Sequence, residues 1–145
     1  MAQDSDFVDI QSINPRILVD CDKCFLRRKV AMKLDLVQKQ LEKIGLGLKL
    51  WDGYRPKGSR HNRGAAVDLT LVDKEGKELR MPTDFDDFSI KAHRNFERLP
   101  KDVICNRQLL ENIMCQHGFI PLATKWWHFD DSEGEKYPIE DRELR

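Results

Sequence analysis

The chain has 145 residues, of which 40% are hydrophobic and 34% charged, with 25 Lys and Arg set against 25 Asp and Glu. That length fits one domain, which buries about 70% of its unfolded surface and needs no disulfide or metal to hold a core. A formal charge of zero argues against a nucleic-acid binder, whose affinity comes largely from clustered positive charge, and no apolar run reaches membrane-spanning length.

The first six residues, Met-Ala-Gln-Asp-Ser-Asp, are polar and acidic, which is not the pattern of a Sec-type signal peptide. The expected location is the cytoplasm, where thiols stay reduced. Residues 1–15 read as a polar lead-in, and Ile17, Leu18 and Val19 as a short strand. Cys21 and Cys24 form a CxxC, but Cys105 and Cys115 lie ten apart and supply no second pair. The set reads as reduced, unpaired thiols rather than as a zinc finger or redox pair. Val30, Leu34, Val37, Leu41 and Ile44 recur at spacings of 4, 3, 4 and 3, one face of a helix that Gly45 stops. Leu46, Leu48 and Leu50 alternate as a strand and run into the turn Asp52-Gly53-Tyr54-Arg55-Pro56.

Residues 57–64 have no apolar member and read as a loop. Ala65 to Val72 is a buried strand, and Asp73 to Gly76 a hairpin turn into a strand over Lys77–Met81. Residues 82–104 are mixed, acidic and irregular. Asn106 is the expected cap of a second helix, with Leu109, Leu110, Ile113 and Met114 inward and Gly118 at its end. Phe119–Leu122 and Trp126–Phe129 read as strands, and the charged tail from Asp130 is expected to fray. The sum is an α+β domain over residues 1–145, with a mainly antiparallel sheet and flanking helices.

Chemistry concentrates around the Ala65–Val72 strand. His61 offers an imidazole from the loop before it, and Asp68 a carboxylate from the strand itself, seven positions on. Catalytic zinc commonly takes three protein ligands and keeps one position open. His128, in the aromatic run Trp126-Trp127-His128-Phe129, is the best third ligand, because a partly dry wall strengthens metal electrostatics. Taken singly, His128 also fits a packed core histidine and His61 a solvent-facing one. His93, in the irregular segment, and His117, in the last helical turn, are read as structural.

Three segments carry a family resemblance. Ser59-Arg60-His61-Asn62-Arg63-Gly64-Ala65-Ala66-Val67-Asp68 matches every fixed position of the SxHxxGxAxD motif of the D-Ala-D-Ala dipeptidases, the VanX-like zinc peptidases. Trp51-Asp52-Gly53-Tyr54-Arg55-Pro56 resembles their WDGYRP segment, and Lys125-Trp126-Trp127-His128 aligns with their ExWH motif. The resemblance runs from about Ile17 to about Phe129 and implies the hedgehog/D,D-peptidase fold. It further implies a Zn2+ ion on His61, Asp68 and His128, with hydrolysis of the dipeptide D-alanyl-D-alanine in peptidoglycan metabolism. In that scheme zinc activates water and polarises the scissile carbonyl, the Glu of ExWH moves the proton, and Arg55 stabilises the oxyanion. Ser59 would contact substrate or orient its loop, and Tyr54 and Trp127 would be wall residues. The implied partner is a small D-amino-acid dipeptide, with no nucleic acid and no membrane.

The chain departs from the family at two places. The position of the general base, three before His128, is Lys125. An ammonium cannot accept a proton, and zinc on two neutral imidazoles and one carboxylate leaves a site charge of about +1 that repels it. Its side chain is expected to turn to solvent or to Asp130 or Asp131, and peptidase activity is expected to be lost or strongly reduced. The chain is also short where the family carries insertions. Only Pro56, Lys57 and Gly58 separate Arg55 from Ser59, and a segment is missing between Asp20 and Cys21. Two other readings follow: a catalytically inactive zinc- or ligand-binding relative, and a D,D-carboxypeptidase-like cell-wall peptidase with a more open groove.

Overall fold

The computed structural model describes residues 6–20, 23–54 and 60–139. Cys21 and the two shortened junctions, at 20–21 and 56–59, fall wholly or partly outside these residues. A two-stranded antiparallel ribbon pairs β1 (Phe7–Asp9) with β3 (Phe25–Arg27). The main sheet has five strands in the order β2 (Leu18–Val19), β4 (Leu46–Asp52), β5 (Ala66–Asp73), β7 (His128–Asp131) and β6 (Phe119–Pro121). The β2–β4 pair is parallel and the other three are antiparallel, in line with the expected α+β class. Residues 1–15, expected to be a lead-in, instead contribute β1 and the short helix α1 (Ile10–Ile13). Asp9 caps that helix by accepting from the Gln11 amide, so a four-residue element forms where periodicity is too short to register.

Helix α2 (Arg28–Glu42) buries Val30, Ala31, Leu34, Val37 and Leu41 along the expected stripe, but Ile44, expected on the same face, lies past the helix end and is exposed. Gly45 follows at φ +77, the left-handed exit that a side chain resists. Helix α3 (Lys101–Gln116) begins earlier than the Asn106 cap expected for it. Pro100 accepts the first turn's Ile104 amide, Asp102 complements the dipole, and Asn106 spends its side chain on the Arg80 carbonyl. The C-terminal ends of the two helices meet, with Gln40 of α2 donating to Gln116 and accepting from His117.

The turn after β5 forms as expected, with Gly76 donating to Asp73 and Asp73 to Lys77. The strand expected over Lys77–Met81 does not: one bridge, Val72 to Glu78, is all that pairs. Pro82 lacks a donor and leads the chain away. The tail does not fray from Asp130. Asp130 and Asp131 pair in β7, Asp131 is buried against Lys33, and Tyr137 lies against Arg27. Among the described residues no helix is long and apolar enough to cross a membrane.

Candidate metal centre

Three elements converge at the β5–β7 seam. Asp68 and His128 are register partners on adjacent antiparallel strands, so their side chains leave the sheet on one face. His61 comes from a single 3₁₀ turn, Arg60–Arg63, directly before β5. Gly64 carries the chain from that turn into the strand at φ +71, and a Cβ there would sit 2.5 Å from the Phe7 ring. The conformation and the contact both require glycine. Arg27 holds the same turn from behind: its amide donates to Gly64 O at 2.9 Å and its Nε to Arg63 O at 2.9 Å. The guanidinium lies over the rings of Phe7 and Tyr137.

His61, Asp68 and His128 are 2%, 4% and 3% exposed. One donor atom from each lies within 4.8 Å of the other two. The Asp68 carboxylate spans both imidazoles, with Oδ1 at 2.8 Å from His128 Nδ1 and Oδ2 at 3.4 Å from His61 Nε2. The outer nitrogens are already engaged: His61 Nδ1 is 3.1 Å from the Ala66 carbonyl and His128 Nε2 is 3.2 Å from Asp130 Oδ1. Both partners are acceptors, so both outer nitrogens carry the proton. The inner nitrogens face the Asp68 carboxylate, an arrangement that a cation between them would satisfy. A divalent metal fits this donor set, and the outer hydrogen bonds are those that commonly orient metal-ligating histidines.

Burial opposes the Asp68 charge, but hydrogen bonds from His128 and His61 outweigh it and lower the carboxyl to about 2. Burial likewise opposes charge on His128, while hydrogen bonds to Asp130 and Asp68 raise its pKa.

The other sequence-derived site residues divide. Arg55 and Ser59 lie outside the described residues. Tyr54 is half-buried with its ring 5.0 Å from that of Phe7. Trp127 is 1% exposed, held in an aromatic cluster with Phe85, Phe88 and Trp126. A register shift at the Asp52 end of β4 puts Trp51 in a bulge, which re-aims side chains, and its ring stacks on Phe85 at 4.5 Å. Among the described residues Lys125 pairs with neither Asp130 nor Asp131. Its Nζ lies 4.6 Å over the Phe88 ring. The two carboxylates are already taken, Asp130 by His128 and Asp131 by Lys33.

Sequence reasoning missed Arg94, in the irregular 82–100 segment. It is almost fully buried and binds the Leu122 and His128 carbonyls. Burial lowers its pKa to about 10, so it keeps its charge at neutral pH. An isolated Arg in a segment without periodicity gives no signal of this role.

The family model described as D-Ala-D-Ala dipeptidase matches residues 57–143. The D-alanyl-D-alanine dipeptidase of Escherichia coli (strain K12) is 30% identical over 138 residues, covering 81% of this chain and 72% of the relative. That of Enterococcus faecalis (strain ATCC 700802 / V583) is 28% identical, covering 77% and 74%. In fold, the chain is similar to the LdcB LD-carboxypeptidase, with a TM-score of 0.53 at 16% identity over 91% of this chain and 71% of that one.

Proposed function

The chain belongs to the D-Ala-D-Ala dipeptidase family, and on that premise we propose that it is a zinc-dependent peptidase acting on D-alanyl-D-alanine, with turnover held low by Lys125. The observation that carries the reading is the buried convergence of His61, Asp68 and His128, whose donor atoms lie close enough together to hold one metal ion. Zinc bound there would supply Lewis-acid polarisation of a peptide carbonyl and activation of water at neutral pH. His61 Nε2, Asp68 and His128 Nδ1 would hold it, while Ala66 O and Asp130 fix the two imidazole rings. Arg55 would stabilise negative charge on the carbonyl oxygen, and Ser59 and Tyr54 would line the substrate side. The setting proposed is a single cytoplasmic domain serving peptidoglycan precursor metabolism, with a small dipeptide substrate and neither nucleic acid nor membrane as partner.

At position 125 the chain carries no proton acceptor. Position 125 opens the tight turn into His128, whose amide donates to the Lys125 carbonyl. A carboxylate at that position would take up a proton and pass it to the leaving amine; an ammonium resting on Phe88 does neither. That contact favours a second reading, a relative that binds zinc and dipeptide without turnover.

The test is D-alanyl-D-alanine hydrolysis by the zinc-loaded protein and its Lys125→Glu variant. A rise of about 10²–10⁴-fold in the variant is the expected contribution of a positioned general base. Hydrolysis by neither protein, with zinc bound in both, overturns the substrate; equal turnover by both overturns the reading of Lys125.

A further inference from the structure

His128 stands at the end of a tight turn whose own hydrogen bonds are long. Leu122 donates to His128 O at 3.2 Å, Lys125 to Leu122 O at 3.4 Å, and His128 to Lys125 O at 3.2 Å. Shorter bonds come from a side chain 28 residues upstream. Arg94 donates from Nε to Leu122 O at 2.6 Å and from Nη2 to His128 O at 2.7 Å. One rigid guanidinium thus spans the two carbonyls at the ends of the turn. Its Nη1 lies 3.3 Å from Glu111 on α3, and its ζ carbon lies 4.5 Å over the Phe129 ring. The Arg94 amide donates to Ala123 O, and the neighbouring Trp126 amide to Ala92 O, so the irregular segment docks on the turn from both sides of the arginine.

We propose that Arg94 is a positioning residue for the metal centre, fixing His128 through the backbone of the Leu122–His128 turn rather than by touching metal or substrate. The proposal rests on the metal reading above and extends it to a residue outside the ligand set and outside the three family motifs. The chemistry favours arginine. A planar fork reaches two carbonyls at fixed separation, and a charged donor binds them more strongly than a neutral one. A lysine offers a point charge, which can reach one carbonyl or Glu111 but cannot span the turn. Removing the fork need not unfold the domain, because His128 O keeps the Leu122 amide and Glu111 is 28% exposed.

The experiment compares Arg94→Met, Arg94→Lys and Glu111→Gln with the unmodified protein. Zinc affinity is measured by chelator competition, and amide hydrogen exchange on the metal-free proteins. Zinc dissociation constants are expected to rise about 10–100-fold in Arg94→Met, the usual loss for an outer-shell partner, and less in Arg94→Lys. Glu111→Gln, which removes the ion pair and leaves both carbonyl bonds, is expected to lower the melting temperature without changing zinc affinity. In metal-free Arg94→Met, the amides of Leu122, Lys125 and His128 should exchange faster while those of β4 and β5 stay protected. Unchanged zinc affinity in Arg94→Met, or an equal loss in Glu111→Gln, overturns the proposal. If the unmodified protein takes up no zinc, the metal reading fails by itself. Exchange then decides alone: protection retained across the turn in Arg94→Met refutes the role of Arg94.

Discussion

Gly64 and Gly45 have nearly the same backbone conformation, at φ +71 and +77, in opposite surroundings. A Cβ at Gly45 meets nothing within 4 Å, whereas at Gly64 it would stand 2.5 Å from Phe7 Cε1 and 3.4 Å from Arg27 Cγ. Gly45→Ala therefore isolates the conformational cost, about 1–2 kcal/mol for a left-handed L-residue, offset by about 0.4–1 kcal/mol from the stiffer unfolded chain. The net is about 1 kcal/mol. Gly64→Ala adds a packing cost, because the Phe7 ring cannot retreat: it is 6% exposed and lies between Tyr54, at 5.0 Å, and the Arg27 guanidinium, at 4.2 Å. Overpacking costs about 1–3 kcal/mol, bringing the total to about 2–4 kcal/mol. At about 3 °C per kcal/mol for a chain of this size, Gly45→Ala should lower the melting temperature by about 3 °C and Gly64→Ala by about 6–12 °C, both read by circular dichroism. Gly64 also donates to the His61 carbonyl, so Gly64→Ala should weaken zinc binding and Gly45→Ala should not. Equal melting shifts in the two variants would refute the claim that the Phe7–Arg27 contact makes the His61 turn rigid.

Three further outcomes are expected. Among the described residues Thr70 Oγ1 is buried without a hydrogen-bond partner, so Thr70→Val should stabilise by about 1 kcal/mol in denaturant unfolding; a loss of stability would mean the hydroxyl is satisfied. Saturating zinc, at a hundred times its dissociation constant, should stabilise by about 2.7 kcal/mol, a gain that a chelator abolishes; an unchanged melting temperature would contradict binding to the folded state. In the metal-free protein, the lowered Asp68 carboxyl contributes stability above its ordinary value of 3.8 that is lost as pH falls toward about 2. The raised His128 contributes stability below its ordinary 6.5 that is lost as pH rises through its folded value. The metal-free melting temperature should thus peak between those limits, while zinc affinity climbs with pH as the proton leaves His128. A His128→Asn variant with the same pH profile would contradict this.

Where the sequence carried a repeating physical signal, the structure follows it. The apolar stripe from Val30 to Leu41 is the buried face of α2, and the small and β-branched run expected as a buried strand over Ala65–Val72 forms β5, buried from Ala66 to Val72. The cluster of His61, Asp68 and His128 was legible because its members sit in motifs of residue types with few other uses in combination. The remainder depends on contacts distant in sequence. β1 exists because β3 pairs with it, and the Lys77–Met81 strand fails because Pro82 turns the chain away. Lys125 rests on Phe88 because both nearby carboxylates are claimed by His128 and Lys33. None of these outcomes is written in local periodicity.

The central claim is that His61, Asp68 and His128 hold a metal, and the most direct measurement is zinc content after dialysis, by elemental analysis, of the unmodified protein and of His61→Ala, Asp68→Ala and His128→Ala. One zinc per chain, lost in each variant while circular dichroism shows the fold retained, is the expected result. Zinc absent from the unmodified protein, or retained in all three variants, would contradict the metal centre and the peptidase reading built on it.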